Sequence, residues 1–442
     1  MILLFLLMAG LAHTQMQTIQ GGRFPELRGN RIVLMGSDGF RERELAKTQC
    51  DSSGHFALSY PSSYVGAARL QIQGAGSIIV LLNKENFSME WENVQDVNTL
   101  RFTHSPENED FAKGIDVNAA AEQKLAGLSY LLPQYKKDPG KYQWLEQEIA
   151  VQNNQFPDFI ERLPEISYAA YYLKVRKFLT DIVQAVKKDS RQIPEYETGF
   201  KNLNFDDDKL WYSGLMSDLF AGMYQLTGSY KDSVKVNVSM NATTDAWIRS
   251  LGTNSLKQQD VAEYCFKLLE QHYLTQGAEY IAKAMLDESG CQLDEKRTDL
   301  FEQYRKMAVG NIAPDIVLEN GAKLSTLNHT YKLVVFGASW CPNCQTDYPA
   351  LVALYNKMKD KQDVEVVYLS LDTDKKAYHD FYKEAPFITG CDTEGWAGKT
   401  VKSYHVFATP SYFLLNHELK IVAKIKNPEQ LQSFLNTSGN NK

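Results

Sequence analysis

The residues best suited to chemistry are two cysteines set two apart in Trp340-Cys341-Pro342-Asn343-Cys344. An apolar, strand-like run (YKLVVFG, 331–337) precedes them, and a helix-like run (345–359) follows. Two thiols so spaced at a helix start form a redox pair, Cys341–Cys344, that can cycle between dithiol and disulfide. Cys341 is the candidate nucleophile. A helix N-terminus offers free N–H groups and a favourable dipole, so its thiolate is favoured, its pKa is lowered, and it is expected to be partly exposed. Cys344, one turn deeper, is the candidate resolving thiol. Pro342 suits a first-turn position, where its missing N–H costs nothing. Trp340 can shield one side of the pair. Asp347 follows Cys344 by three residues and shares its helical face. It could exchange a proton with Cys344, or be an ordinary exposed helix acid.

The competing reading of the pair is half a zinc site. Structural zinc needs four ligands, and the region adds only Cys391, His379 and His405 at irregular spacing. The strand–CxxC–helix context favours redox chemistry, so no metal and no cofactor are expected. Cys391 reads either as a third redox thiol or as a buried small residue. Cys265 falls on an apolar helix face and reads as core. Asn86, Asn237, Asn241, Asn328 and Asn436 begin N-x-Ser/Thr triplets, read as chance.

These residues sit in a chain of 442, too long for one ordinary domain. It is 44% hydrophobic and 23% charged, a globular balance, and its net charge of −7 argues against nucleic acid or an anionic membrane surface as main partner. Six cysteines are too few for a disulfide scaffold at this length. Residues 1–12 (MILLFLLMAGLA) suit a signal-peptide core ending in a small-x-small pattern, though without a basic leader. The segment could instead remain as a weak anchor, or form a buried strand.

Texture divides the chain into a signal-like segment (1–17), a β-sandwich-like domain (18–104), a helical domain (105–308) and an alternating α/β domain (309–442). Short apolar runs at 31–35, 56–60, 77–82 and 87–91, separated by turn signals such as Asp38-Gly39, predict a small antiparallel sandwich. From Ser105-Pro106 the 3.6-residue period takes over. Leu173, Phe178, Leu179, Ile182, Val183 and Val186 share one face, as do Val261, Tyr264, Cys265, Leu268, Leu269 and Tyr273. Gly290 and Gly310 read as helix stops, and 206–208 and 237–244 as loops. From 311 strand-like runs (333–337, 364–371, 411–415, 420–425) alternate with helix-like runs (345–359, 375–383, 428–435), which implies a central sheet with helices on both faces. Asn416-His417-Glu418 is tight enough to make the last strand pair antiparallel. The fold class is therefore multidomain, α+β with α/β.

The segment 311–442 resembles the TlpA-like branch of the thioredoxin superfamily. The resemblance is carried by Ala313-Pro314-Asp315, by 336–344 (FGASWCPNC) and by 408–413 (ATPSYF). It implies a thiol–disulfide oxidoreductase of the periplasm or cell envelope, mostly a reductant, with room between Cys344 and Pro410 for an added strand and helix. It implies a cis-proline at Pro410 facing the cysteines, with Thr409 and Pro410 positioning an extended substrate segment. An acid three residues past the second cysteine fits Asp347. Ordinary thioredoxin carries a buried aspartate where this chain has Val335. The order of parts also resembles multidomain proteins of Gram-negative bacteria.

The resulting expectation is an exported reductase of disulfide-containing proteins, fed by a membrane thiol electron donor. Two rivals stand beside it. One is a binding or scaffold protein with an accessory thioredoxin-like domain. The other is a thiol peroxidase, for which paired thiols are less suited than a lone cysteine.

Overall fold

A computed structural model describes residues 15–22, 27–94, 96–188, 192–252, 254–272, 274–287, 293–359 and 363–439. The apolar run 1–12, Tyr273, Gly290 and Cys291 lie outside the described residues. Contacts divide the chain into two compact units: Met1–Ser239 with Asp245–Lys257, and Met240–Thr244 with Gln258–Lys442.

The first unit begins with eight strands: β1 (Met16–Gly21), β2 (Arg31–Asp38), β3 (Arg41–Gln49), β4 (Phe56–Pro61), β5 (Val65–Ile72), β6 (Gly76–Asn83), β7 (Phe87–Trp91) and β8 (Leu100–Thr103). They form two four-stranded sheets, ordered β4-β1-β7-β8 and β3-β2-β5-β6. Alternate residues point inward, and Ile19, Leu58, Met89, Ile32, Leu34, Leu70 and Val80 meet in one core. Every pairing is antiparallel except β1 with β7. The edge strand β3 (RERELAKTQ) is charged and largely exposed, so its sequence lacks the apolar alternation of the others.

The change of texture at Ser105 is a helix cap. The Ser105 side chain accepts from the Asn108 N–H, and Pro106 opens α1 (Pro106–Leu131). In its first turn, buried Glu107 accepts from Asn83 Nδ2 at 2.7 Å and from the Ala169 N–H at 2.6 Å. One carboxylate thus joins β6 to the start of a later helix. The helices run α1, α2 (Pro139–Arg162), α3 (Tyr168–Lys188), α4 (Ile193–Lys201), α5 (Asp208–Trp211), α6 (Met216–Gly228) and α7 (Ser233–Leu251). The loop expected at 237–244 is instead the middle of α7. Asp232 caps that helix, and Met240, Thr243, Thr244 and Trp247 are buried, so packing overrides the weak propensity of a Thr- and Asn-rich stretch. Asp207 of the acidic run caps α5.

The second unit contains α8 (Ser255–Gln271), α9 (Thr275–Asp287) and α10 (Glu295–Lys306), then β9 (Tyr331–Gly337), α11 (Pro342–Met358), β10 (Val364–Ser370), α12 (Lys375–Tyr382), β11 (Ile388–Cys391), α13 (Lys399–Ser403), β12 (Ser411–Asn416), β13 (Ile421–Ile425) and α14 (Pro428–Gly439). Arg297 of α10 pairs with Asp260 and Glu263 of α8. Gly310 lies beyond the end of α10, which closes at Met307, and its N–H donates to Ile421. The sheet order is β11-β10-β9-β12-β13. β9, β10 and β11 run parallel, while β12 is antiparallel to both its neighbours. β9 is central and apolar on both faces, as a strand covered twice must be. Leu333 and Val335 meet α11, α12 and α14 on one face. Val334 and Phe336 meet Val401, Phe413 and Leu415 on the other. The architecture is mixed α/β with a thioredoxin-like sheet near the C-terminus.

Candidate active site

The site forms where β9 hands over to α11. The strand ends at Gly337, a position only glycine fits. A Cβ there would collide with the hydroxyl of Tyr368, a buried residue of β10. Next, Ser339 is held by Asp372, just past β10. Asp372 Oδ2 accepts from the Ser339 N–H at 3.0 Å, and Oδ1 accepts from Ser339 Oγ at 2.7 Å. Ser370 Oγ donates to Asp372 at 2.6 Å. This carboxylate is 1% exposed and fixes the turn that delivers the cysteines.

Cys341 is the N-cap of α11 and Pro342 its first residue, three positions ahead of the helical run read from the sequence. The Cys341 sulfur accepts from the Cys344 N–H at 3.3 Å. Its thiol donates to the Thr409 carbonyl at 3.3 Å. The Thr409–Pro410 peptide is cis, and the pair lies directly against the first cysteine. The expectation that Cys341 is partly exposed needs correction, because it is only 5% exposed. The Thr409 backbone and the helix turn cover its sulfur. Trp340, 52% exposed, is the open part of the motif.

Cys344 is 0% exposed. Burial first, and the neighbouring Cys341 sulfur second, push its thiol up to about 12. Cys344 also acts on the phenols of Tyr368 and Tyr382 beside it.

Asp347 is half-buried on α11 and accepts a hydrogen bond from Tyr412 Oη, on β12, at 3.1 Å. Burial raises its carboxyl above the ordinary range. The Tyr412 hydroxyl opposes that rise, and Glu429 of α14 adds to it. No hydrogen bond joins Asp347 to Cys344, so proton exchange between them would need a bridging water or a small movement.

Cys391 ends β11 beside Ser370, one strand further from β9. Two strand spacings, roughly 10 Å, separate it from Gly337. Its thiol donates to the Asp372 carbonyl at 3.1 Å, and burial raises its pKa. Cys50 and Cys265 are buried in other parts of the chain. Among the described residues no group of three or more His, Cys, Asp or Glu side chains is placed to hold a metal ion. No described helix is long and apolar enough to cross a membrane.

The structure thus gathers Trp340, Cys341, Cys344, Thr409 and Pro410 at one place, with Asp347 on the same helix. The sequence reading missed Ser339, Asp372, Tyr368 and Tyr412. One signal was available for Asp372: an acid directly after a parallel strand, at the sheet end where sites form.

A thioredoxin-like family model matches residues 328–421. The thiol-disulfide oxidoreductase ResA of Bacillus cereus is 31% identical over 144 residues, covering 30% of this chain and 81% of that protein. ResA of Bacillus subtilis is 31% identical over 129 residues, 70% of its length. Among solved structures, the C-terminal domain of a thiol-disulfide oxidoreductase from Bacteroides thetaiotaomicron is 27% identical, covering 30% of this chain and 96% of that one, with a TM-score of 0.28. A thioredoxin-like protein from Bacteroides caccae covers 55% of this chain and 92% of that one at 18% identity, with a TM-score of 0.40. Through the match to ResA, this chain belongs to the TlpA-like thiol-disulfide oxidoreductases of the thioredoxin fold.

Proposed function

We propose that the chain is an exported enzyme of the periplasm or cell envelope that reduces disulfides in proteins through the Cys341–Cys344 dithiol. The observation that carries this is the setting of the Cys341 sulfur. It caps a helix, accepts the Cys344 N–H, and faces the Thr409 carbonyl.

In the proposed cycle Cys341 attacks one sulfur of a substrate disulfide. A mixed disulfide forms, and the second substrate sulfur leaves and takes up a proton. Cys344 gives its proton to Asp347 through a water and attacks the Cys341 sulfur. The Cys341–Cys344 bond forms and the first substrate sulfur departs as a thiol. Two electrons have then passed to the substrate, and a membrane thiol donor restores the dithiol. Thr409 and Pro410 hold the substrate chain, and Trp340 offers an exposed flank. Residues 18–104 form a β-sandwich domain, 105–308 a helical one and 309–442 the redox domain, with export directed by residues 1–12.

The test is a redox titration with mass-spectrometric mapping of all six cysteines. A reversible Cys341–Cys344 bond near the thioredoxin value, about −270 mV, is expected; a potential near −120 mV would make the protein an oxidant. If these two residues form no reversible bond, the reading fails.

A further inference from the structure

Tyr412 belongs to the run 408–413 but has no role in the cycle above. It stands on β12 two residues past Pro410, opposite Val335 of β9 in the ladder. Its ring is buried in the core that α11 covers, with Leu351, Leu354 and Val335. Val335 is apolar, so at this register the β9–β12 pair offers α11 one polar group, the Tyr412 hydroxyl. That hydroxyl donates to Asp347 Oδ2 at 3.1 Å. The strand that carries the substrate-facing Thr409-Pro410 turn is thereby joined to the acid that follows Cys344.

We propose that Tyr412 is a positioning residue for the resolving half-reaction: its hydroxyl fixes the Asp347 carboxylate for proton transfer with Cys344. The proposal rests on the Asp347 role given above and adds the group that holds it. A carboxylate on a half-buried helix position has several rotamers open to it, and a directed O–H donor selects one. The donor also stabilises the ionised form, the form able to take a proton. The groups acting on the Asp347 carboxyl are Tyr412 from β12 and Glu429 from α14, and Cys344 lies three residues back on α11. Glu429 disfavours the anion and Tyr412 favours it, so Tyr412 is the contact whose loss moves Asp347 toward its protonated form.

The experiment uses the full-length reduced protein and oxidised glutathione as the disulfide. Release of the second glutathione is followed by rapid quench between pH 5.5 and 9. Tyr412→Phe keeps the ring and removes only the hydroxyl, and circular dichroism checks that the variant folds. It should slow release roughly three- to tenfold at the acid end and little at pH 9, moving the acid limb to higher pH. Asp347→Asn should slow release more, and in that background Tyr412→Phe should add nothing. A Tyr412→Phe profile that overlies the parent's overturns the proposal, as does an equal effect of Tyr412→Phe with and without Asp347. If Asp347→Asn itself changes nothing, the Asp347 role fails and takes the proposal with it.

Discussion

Cys344 is expected to remain a thiol far above the pH at which cysteines ordinarily ionise. Its side chain has no solvent exposure, and burial raises its pKa to about 12. A free cysteine titrates near 8.5. The rise of about 3.5 units, at about 1.4 kcal/mol each, makes the Cys344 thiolate about 5 kcal/mol costlier than in water. At pH 7 about one molecule in 10⁵ would carry it, against about one in 30 for a free thiol. The unaided thiolate is therefore roughly three-thousandfold scarcer than that of an exposed thiol, a deficit its greater intrinsic nucleophilicity only partly offsets, which is why a nearby base matters. The assay is the cysteine ¹³Cβ resonance of the reduced, cysteine-labelled protein between pH 6 and 10.5, assigned by its loss in Cys344→Ser. The Cys344 signal should stay at its thiol position throughout. The same burial has a stability consequence. Above pH 8.5 the unfolded chain releases this proton and the folded chain keeps it, so folding stability should fall with rising pH, by up to about 1.4 kcal/mol per unit. A midpoint below pH 9 would refute the reasoning and remove the need for Asp347.

Three substitutions probe the frame around the pair. Gly337→Ala places a methyl group on the hydroxyl of buried Tyr368 and should cost about 1–3 kcal/mol in urea unfolding; a change under about 0.5 kcal/mol would mean the ring has room to move. Asp372→Ala leaves the Ser339 N–H and hydroxyl without their acceptor and should destabilise by about 2–3 kcal/mol; it should also speed alkylation of Cys341 by iodoacetamide, because the turn that covers it loosens. Glu107→Ala strips the start of α3 of its carboxylate acceptor and should lower stability by about 2–4 kcal/mol, seen as earlier loss of helical signal on heating.

What the sequence made legible is what neighbouring residues decide. The CxxC spacing, Pro342 at the helix start, the change of pattern at Ser105-Pro106 and the alternation of strands and helices after 311 are local signals, and each appears in the structure. Readings failed where distant packing overrides local preference. Residues 237–244 look like loop but form the middle of α7, because Trp247 and two threonines on it are buried. Cys341 looks exposed at a helix start but is covered by Thr409, 68 residues away. Strand β3 carries charges because it is an exposed edge, so its alternation is invisible.

The same division runs through the site. Both cysteines are readable from five consecutive residues, whereas the groups that hold the motif come from separate strands. Asp372 reaches Ser339 across 33 positions of chain, and Tyr412 reaches Asp347 across 65. The helix start supplies the Cys341 sulfur with the Cys344 N–H from within the motif itself. It cannot help Cys344, which the same helix carries into the core. The resolving thiol must draw its proton acceptor, and whatever orients that acceptor, from outside the motif. Parallel β10 ends, and antiparallel β12 begins, at the edge of the sheet where β9 ends, however far apart they lie in sequence. The polar residues at the end of β10 and the start of β12 are therefore where control of the second half-reaction should be sought.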